Sequence, residues 1–186
     1  MMAPWYSGRM PENETTLARV LQSNGYVTGH SGKWHMAIDH KAFPQPEDQG
    51  FDWTRSSRGA RSGMPNRVSG FATIQKEDPF RLDENGYPYH QTSEDALTFL
   101  RENHQKPFFL YYATWLVHTP IHTRSEQLLE KYCKKLGVEK PNDQEGWTMK
   151  GQTNPFYCAM VEELDYYMGK VFDYLKGTED PRWPGH

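Results

Sequence analysis

Apolar residues recur at helical spacing in four stretches of the chain, and two short apolar runs between them have the character of strands. Over residues 15–24, Leu17, Val20 and Leu21 share one helical face, with Asn13 as the expected cap and Glu14 as an acid suited to the positive end of the helix dipole. Gly25 ends this helix. A β run over 26–31 follows, and Gly32-Lys33-Trp34-His35 comes directly after it as a loop. From 36 to 91 neither a period of 2 nor one of 3.6 is sustained, and Pro, Gly, Asp and Arg are dense. Compact domains rarely hold structureless loops beyond roughly 12 to 15 residues, so this excursion is either functional or supported by structure that the pattern does not reveal. Regularity returns at Ser93, the expected cap of a helix with Glu94 and Asp95 in its first turn and Ala96, Leu97, Phe99 and Leu100 on its apolar side. After Pro107 the run Phe108-Phe109-Leu110-Tyr111-Tyr112-Ala113-Thr114-Trp115 reads as a strand buried on both faces, and Val117-His118-Thr119-Pro120 is the polar loop at its end. A helix over 125–136 stops at Gly137, with Lys131, Lys134 and Lys135 toward its negative end. In the last one, Tyr157, Val161, Leu164, Met168, Val171, Phe172 and Leu175 recur at spacings of three and four, and Gly177 closes it.

This order of helix, strand, excursion, helix, strand, helix, helix predicts an α/β fold with a parallel or mostly parallel sheet. Two strands do not make such a sheet stable, so further strands are expected beside them. Composition points the same way. Leu, Val, Ile and Phe together make 31 of 186 residues, a small aliphatic stock, yet 21 basic against 24 acidic residues leave a net charge of only -3, and the Trp, Tyr and Phe residues supply large buried areas. The chain therefore folds around a thin core, or is a piece of a larger one. A near-neutral balance offers no basic footprint for nucleic acid. No run of 18 apolar residues exists to span a membrane, and residues 1–10 have neither the apolar segment nor the cleavage site of a secretory signal, so the protein is intracellular or its beginning is missing. Cys133 and Cys158 allow at most one bridge and fit no zinc spacing.

Ligands of open α/β sheets sit outside the carboxyl ends of the strands. Both expected strands end in loops with cationic or hydrogen-bonding side chains, Lys33 and His35 after the first and His118 after the second. Should the strands be neighbours, these three converge on a set suited to an oxyanion such as a sulfate or phosphate ester, and a histidine can protonate a leaving alkoxide. Each taken singly has a plain structural role as surface cation, packed ring or turn residue. His118 and His122 are four apart, but Pro120 between them argues against a helical metal pair, which leaves His122 as a surface or supporting residue. Arg55, Arg58, Arg61 and Arg67 near Trp53 form either a solvated loop or a face for an anionic, sugar-like substrate. His30, His40, His90, His104 and His186 join no constellation.

The stretch Thr16-Leu17-Ala18 through Asn24-Gly25-Tyr26-Val27-Thr28-Gly29 and Gly32-Lys33-Trp34-His35 resembles the type I, formylglycine-dependent sulfatases, arylsulfatase-like members of the alkaline phosphatase superfamily. Further matches follow in order. They are Gly50-Phe51-Asp52, Lys106-Pro107-Phe108-Phe109-Leu110-Tyr111 with His118-Thr119-Pro120, and the helix carrying Tyr157, Ala159, Met160, Val161, Asp165 and Gly169. Val117 stands where the family usually has proline. The resemblance implies a partial alkaline-phosphatase-like sandwich with a mostly parallel central sheet, its N- and C-terminal strands missing, residues 1–186 forming part of one catalytic domain and 36–92 an irregular excursion in the place of a substrate-specificity region.

It further implies a sulfuric ester hydrolase in which a formylglycine attacks sulfur and a divalent cation, calcium in the family, assists. By motif, Lys33 and His118 would hold the sulfate oxygens, His118 would also assist the leaving alcohol, and His35 would hydrogen-bond the formylglycine hydroxyl and help expel sulfate. The nucleophile motif Cys/Ser-x-Pro-Ser-Arg is not in the sequence. Aligning Ser7-Gly8-Arg9 with the family's Thr-Gly-Arg would put the nucleophile three positions before Met1, and the acidic pairs that bind the cation are also missing, so the chain is expected to be an internal fragment, inactive alone and without metal ligands. The partner implied is a small sulfate ester or a sulfated glycan, and the family suggests a periplasmic, secreted or lysosomal setting. Two alternatives are a phosphodiesterase or phosphonate hydrolase of the same superfamily, and a non-catalytic remnant that binds sulfated glycans.

Overall fold

The computed structural model of the chain describes residues 9–37, 42–57, 70–74, 81–142, 146, 149 and 153–178. It divides into two compact units, one of Met1–Ser62, Thr92–Thr114 and Val171–His186, the other of Gly63–Gln91 and Trp115–Lys170.

The first unit is built on a parallel sheet. β1 (Val27–Lys33) is its middle strand, with β2 (Trp53–Ser57) on one side and β3 (Phe108–Ala113) on the other. The two-residue period of a strand sorts the side chains onto two faces. Val27, Phe108 and Leu110 pack with Trp53 against Leu97, Phe99 and Leu100 of α2 (Gln91–Asn103), where Val171 and Leu175 join the cluster. Gly29 belongs to this face, and a Cβ there would overlap the Phe99 ring, so the residue's smallness is what lets α2 approach. On the opposite face Phe109 packs with Trp34, Phe51 and Ala18 of α1 (Leu17–Ser23).

Two of the motifs turn out to bind each other. The Thr28 hydroxyl lies 2.6 Å from the Gly50 carbonyl and 2.9 Å from the Asp52 carboxylate, which also accepts the Thr28 N–H at 3.0 Å. Gly50 has φ +92°, and a Cβ there would strike the Arg19 backbone, so this turn requires glycine. Desolvation opposes ionisation of Asp52, but the hydrogen bonds from Gln22 and Thr28 outweigh it and hold the carboxyl below its ordinary value.

Several expectations are corrected here. Thr16, not Asn13, caps α1, accepting the Arg19 N–H at 3.1 Å, and the first turn carries no acid. Of the predicted face, Leu17 is 61% exposed while Ala18 is buried. Ser93 lies inside α2, buried against the Tyr112 hydroxyl, rather than at its cap. The strand β2 and a short 3-10 turn at Glu47–Gln49 fall within the stretch that showed no period. β3 is half-buried rather than enclosed, with Tyr111 45% exposed, because it is paired on one side only among the described residues.

In the second unit α3 (Glu126–Leu136) ends at Gly137, as its sequence predicts, with that glycine in the left-handed conformation and Ser125 as the N-terminal cap. Leu129 and Cys133 of α3 pack with Phe156 of α4 (Pro155–Gly177), joined by Phe71, Ile121, Val138 and Met149. α4 starts at an Asn-Pro step: the Asn154 side chain accepts the N–H groups of Phe156 and Tyr157, and Pro155 occupies the first helical position, where its missing N–H is harmless. The period expected for α4 is present, and Val171 and Leu175 are buried as it predicts, but in the first half of the helix the buried face is displaced. Phe156, Ala159, Met160, Glu163 and Tyr167 are buried, and Tyr157 and Val161 lie exposed. Tyr166 and Tyr167 hold the segment 83–90: Tyr166 stacks on Tyr87 at 3.9 Å, and the Tyr167 hydroxyl donates to the Pro88 carbonyl at 2.7 Å. Cys133 and Cys158 form no disulfide.

Candidate functional site

The three parallel strands end together. Gly32 pairs with Ala113 and Lys33 with Ser57, so the carboxyl ends of β1, β2 and β3 share one edge of the sheet. The chain passes from β1 to β2 on one side and later lays β3 on the other, so the strand order reverses about β1. Open parallel sheets bind ligands at such a reversal, beyond the carboxyl ends.

Lys33 is the last residue of β1, half-buried, rather than part of a loop. Gly32 before it has φ +109°, and a Cβ there would overlap the Ala113 carbonyl, so glycine is required where β1 and β3 approach at their ends. Trp34 is buried and donates its indole N–H to the Pro44 carbonyl at 2.8 Å. It anchors the chain between Lys33 and the exposed His35, so in the Gly-Lys-Trp-His stretch the tryptophan is structural and its two polar neighbours carry the available chemistry.

His30 is a residue the sequence pattern passed over. Its ring is enclosed by Trp34, Phe51 and Tyr111, with centroids 5.3 to 5.4 Å away, and Nε2 lies 3.3 Å from the Lys33 carbonyl. Desolvation lowers its pKa to about 4, so the ring is neutral near pH 7 and, with its Nε2 proton on that carbonyl, braces the turn after β1. Beside it a groove of about 250 Å³ is lined by Trp34, Phe51, Phe109, Tyr111 and Met36. Its lining is mostly apolar, with Thr16 and Gln49 among it, which suits a hydrocarbon group.

His118 belongs to the second unit and stands five residues beyond the end of β3. Its backbone N–H closes a turn onto the Trp115 carbonyl at 3.0 Å, and its ring meets the buried Trp115 edge-on. Nδ1 lies 2.7 Å from the Thr119 carbonyl. A carbonyl only accepts, so in this geometry Nδ1 holds a proton. Val117, immediately before, has φ +67°, a strained value for a β-branched residue and one that proline, the residue usual there by the resemblance, cannot take. His122 is not a surface residue: it is buried between Phe71 and Phe156. Arg55 lies exposed over the Trp53 ring at 5.0 Å, while Arg58, Arg61 and Arg67 fall outside the described residues.

Comparison with known proteins decides the lineage. The family model described as Sulfatase matches residues 2–182. The chain belongs to the sulfatase family. This sulfatase-family chain is 27% identical over 133 residues to an arylsulfatase of Hemicentrotus pulcherrimus, covering 63% of this chain and 24% of that one. It is 27% identical over 183 residues to the N-acetylgalactosamine-6-sulfatase of Rattus norvegicus, covering 91% of this chain and 30% of the relative. Among solved structures, one from the work on metabolism of multiple glycosaminoglycans by Bacteroides thetaiotaomicron superposes with TM-score 0.58 at 17% identity, over 91% of this chain and 43% of its own, and it shares the fold. The chain thus spans less than half the length of these relatives. Its fold is α/β with a small parallel sheet, part of the alkaline-phosphatase-like architecture of sulfatases.

Sulfatases are in general metal-dependent. Among the described residues, no three His, Cys, Asp or Glu side chains gather where they could hold a metal ion, so these residues do not build a cation site.

Proposed function

We propose that this chain is the anion-holding portion of a sulfuric ester hydrolase acting on the sulfate ester of a carbohydrate or aryl alcohol. The observation that carries this reading is the position of Lys33 at the end of the middle strand of a parallel sheet whose order reverses there, with His118 following the neighbouring strand. Family membership supports sulfate ester hydrolysis as the reaction class, and the names of the two relatives span aryl and amino-sugar sulfates.

In this reading Lys33 supplies a point charge and up to three donors to the sulfate oxygens. His118, its Nδ1 held on the Thr119 carbonyl, would contribute a further donor from Nε2 and, where a nucleophile supplied from outside these residues forms the new bond to sulfur, would pass that proton to the departing alkoxide. His35, exposed just past Lys33, would hydrogen-bond the nucleophile's hydroxyl in a complete enzyme and help expel sulfate afterwards. The nucleophile motif does not occur in the sequence and no cation site is built among the described residues, so no step here runs through a formylglycine or a metal ion.

Assay of the purified chain on an aryl sulfate and the matched aryl phosphate tests this. Neither is expected to turn over, since no Cys/Ser-x-Pro-Ser-Arg nucleophile motif occurs in the 186 residues. Sulfate turnover that Lys33→Ala abolishes would overturn the predicted inactivity. Phosphate turnover, or stronger binding of the phosphate ester, would overturn the sulfatase reading in favour of a phosphodiesterase.

A further inference from the structure

In the second unit the segment that follows His118 is fastened at consecutive residues. Ile121 packs into the Leu129, Cys133 and Phe156 cluster, and its carbonyl fills the space a Cβ on Gly146 would need. His122 is held between Phe71 and Phe156. The Arg124 carbonyl accepts the Ala72 N–H at 2.7 Å and its guanidinium donates to the Gly70 carbonyl at 3.2 Å. Ser125 donates to the Gly86 carbonyl at 2.8 Å and caps α3. Thr123 is the point where this row meets a charged residue type. Its hydroxyl donates to the Glu163 carboxyl of α4 and accepts the Ser125 N–H at 3.1 Å.

Glu163 is only 3% exposed. A buried carboxyl costs stability that an apolar residue of similar volume would not, so its presence calls for a partner that needs an oxygen acceptor. Thr123 is that partner. Desolvation pushes the Glu163 pKa up to about 8 even though the Thr123 hydrogen bond favours ionisation, so near pH 7 the group works as a neutral acceptor, a role glutamine can also fill. Upstream, the buried Trp115 fixes the other end of the His118 turn through the 3.0 Å bond from the His118 N–H. The strained Val117 and the ring-to-carbonyl bond at Thr119 lie between these two anchors, and strained backbone persists only where the surroundings over-determine it.

We propose that Glu163 is a positioning residue for His118: by holding Thr123 from α4 it fixes the downstream anchor of the His118 turn, and with it the Nδ1 bond that selects the tautomer of the ring. The functional meaning of that tautomer rests on the sulfatase reading given above, but the coupling itself does not.

The test is a long-range proton–nitrogen NMR spectrum of the chain labelled in histidine, recorded at pH 7 for wild type, Glu163→Gln, Glu163→Ala and Thr123→Val, with the His104 ring as internal reference. In wild type and Glu163→Gln the His118 ring is expected to show one tautomer, protonated at Nδ1. In Thr123→Val and Glu163→Ala its two nitrogen shifts are expected to move toward each other, as in an averaged ring, while the His104 signals stay in place. Should Glu163→Ala not fold, Thr123→Val carries the same expectation. An unchanged His118 ring in a folded Thr123→Val, or a ring disturbed as much by Gln as by Ala at 163, overturns the proposal. The two readings fail separately. If sulfate does not bind at Lys33 and His118, the tautomer still responds to Glu163, whereas sulfate binding with an indifferent tautomer removes the positioning role alone.

Discussion

His30 and Glu163 are buried in different units and respond to pH in opposite senses. The folded pKa of His30, lowered to about 4, lies below the ordinary 6.5, so the unfolded chain takes up the proton first as pH falls. Its contribution to stability is complete above pH 6.5 and is lost between there and about 4. In urea titrations His30→Leu is expected to flatten part of that acid slope, and His90, lowered likewise to about 4 by burial, accounts for another part. Glu163, raised from 4.5 to about 8, works the other way. Its contribution is full below about pH 4.5 and is lost as pH rises to about 8, because the unfolded chain releases the proton first. Glu163→Gln should remove that decline, and an unchanged midpoint-versus-pH curve in the variant would contradict the burial of a neutral carboxyl. Neither residue was legible in the sequence. A lone histidine in a β run and one acid among several on a helix look like surface residues until tertiary packing encloses them. Lys33, His35 and His118 were legible as candidates because strand ends mark where ligands bind, a rule that needs no knowledge of side-chain packing.

At the scale of elements, periodicity located every α-helix among the described residues and the buried face of α2, but misplaced the face of α1, the first half of α4 and the caps of α1 and α2. In α4 the spacing of large apolar residues favoured Tyr157 and Val161, yet the buried stripe runs through Ala159, Met160 and Glu163. Hydropathy cannot separate adjacent stripes when both are rich in apolar and aromatic groups. The distinction is measurable: Met160→Ala is expected to cost about 2–5 kcal/mol as a core truncation, and Val161→Ala about 0.5 kcal/mol or less. The reverse order would restore the sequence-based face. Ser125 caps α3 and also donates to the Gly86 carbonyl, so Ser125→Ala should lower stability by about 1–2 kcal/mol in equilibrium unfolding. β2 escaped notice because Trp53-Thr54-Arg55-Ser56-Ser57 is polar for a strand; its pairing with β1 and the contact of Trp53 with Phe99 supply what its own pattern lacks.

For the whole chain, the sequence conveyed the architecture better than the details. The α/β class and the parallel pairing of the two recognised strands follow from a helix between two β runs, since a crossover connection makes neighbours parallel. The thin aliphatic stock agrees with a sheet of three strands among the described residues of one unit and a small cluster around Leu129, Cys133 and Phe156 in the other. The central proposal, carried by motif and strand-end position, is that Lys33, His35 and His118 serve one sulfate group. Titration of the purified chain with inorganic sulfate, followed residue by residue by NMR, tests it most directly. The account predicts that the three residues shift together along one saturation curve, and that Lys33→Ala weakens binding about tenfold or more, as expected for a charge-assisted hydrogen bond worth roughly 1.5–3 kcal/mol. Separate curves for Lys33 and His118, or undiminished binding in Lys33→Ala, would contradict it.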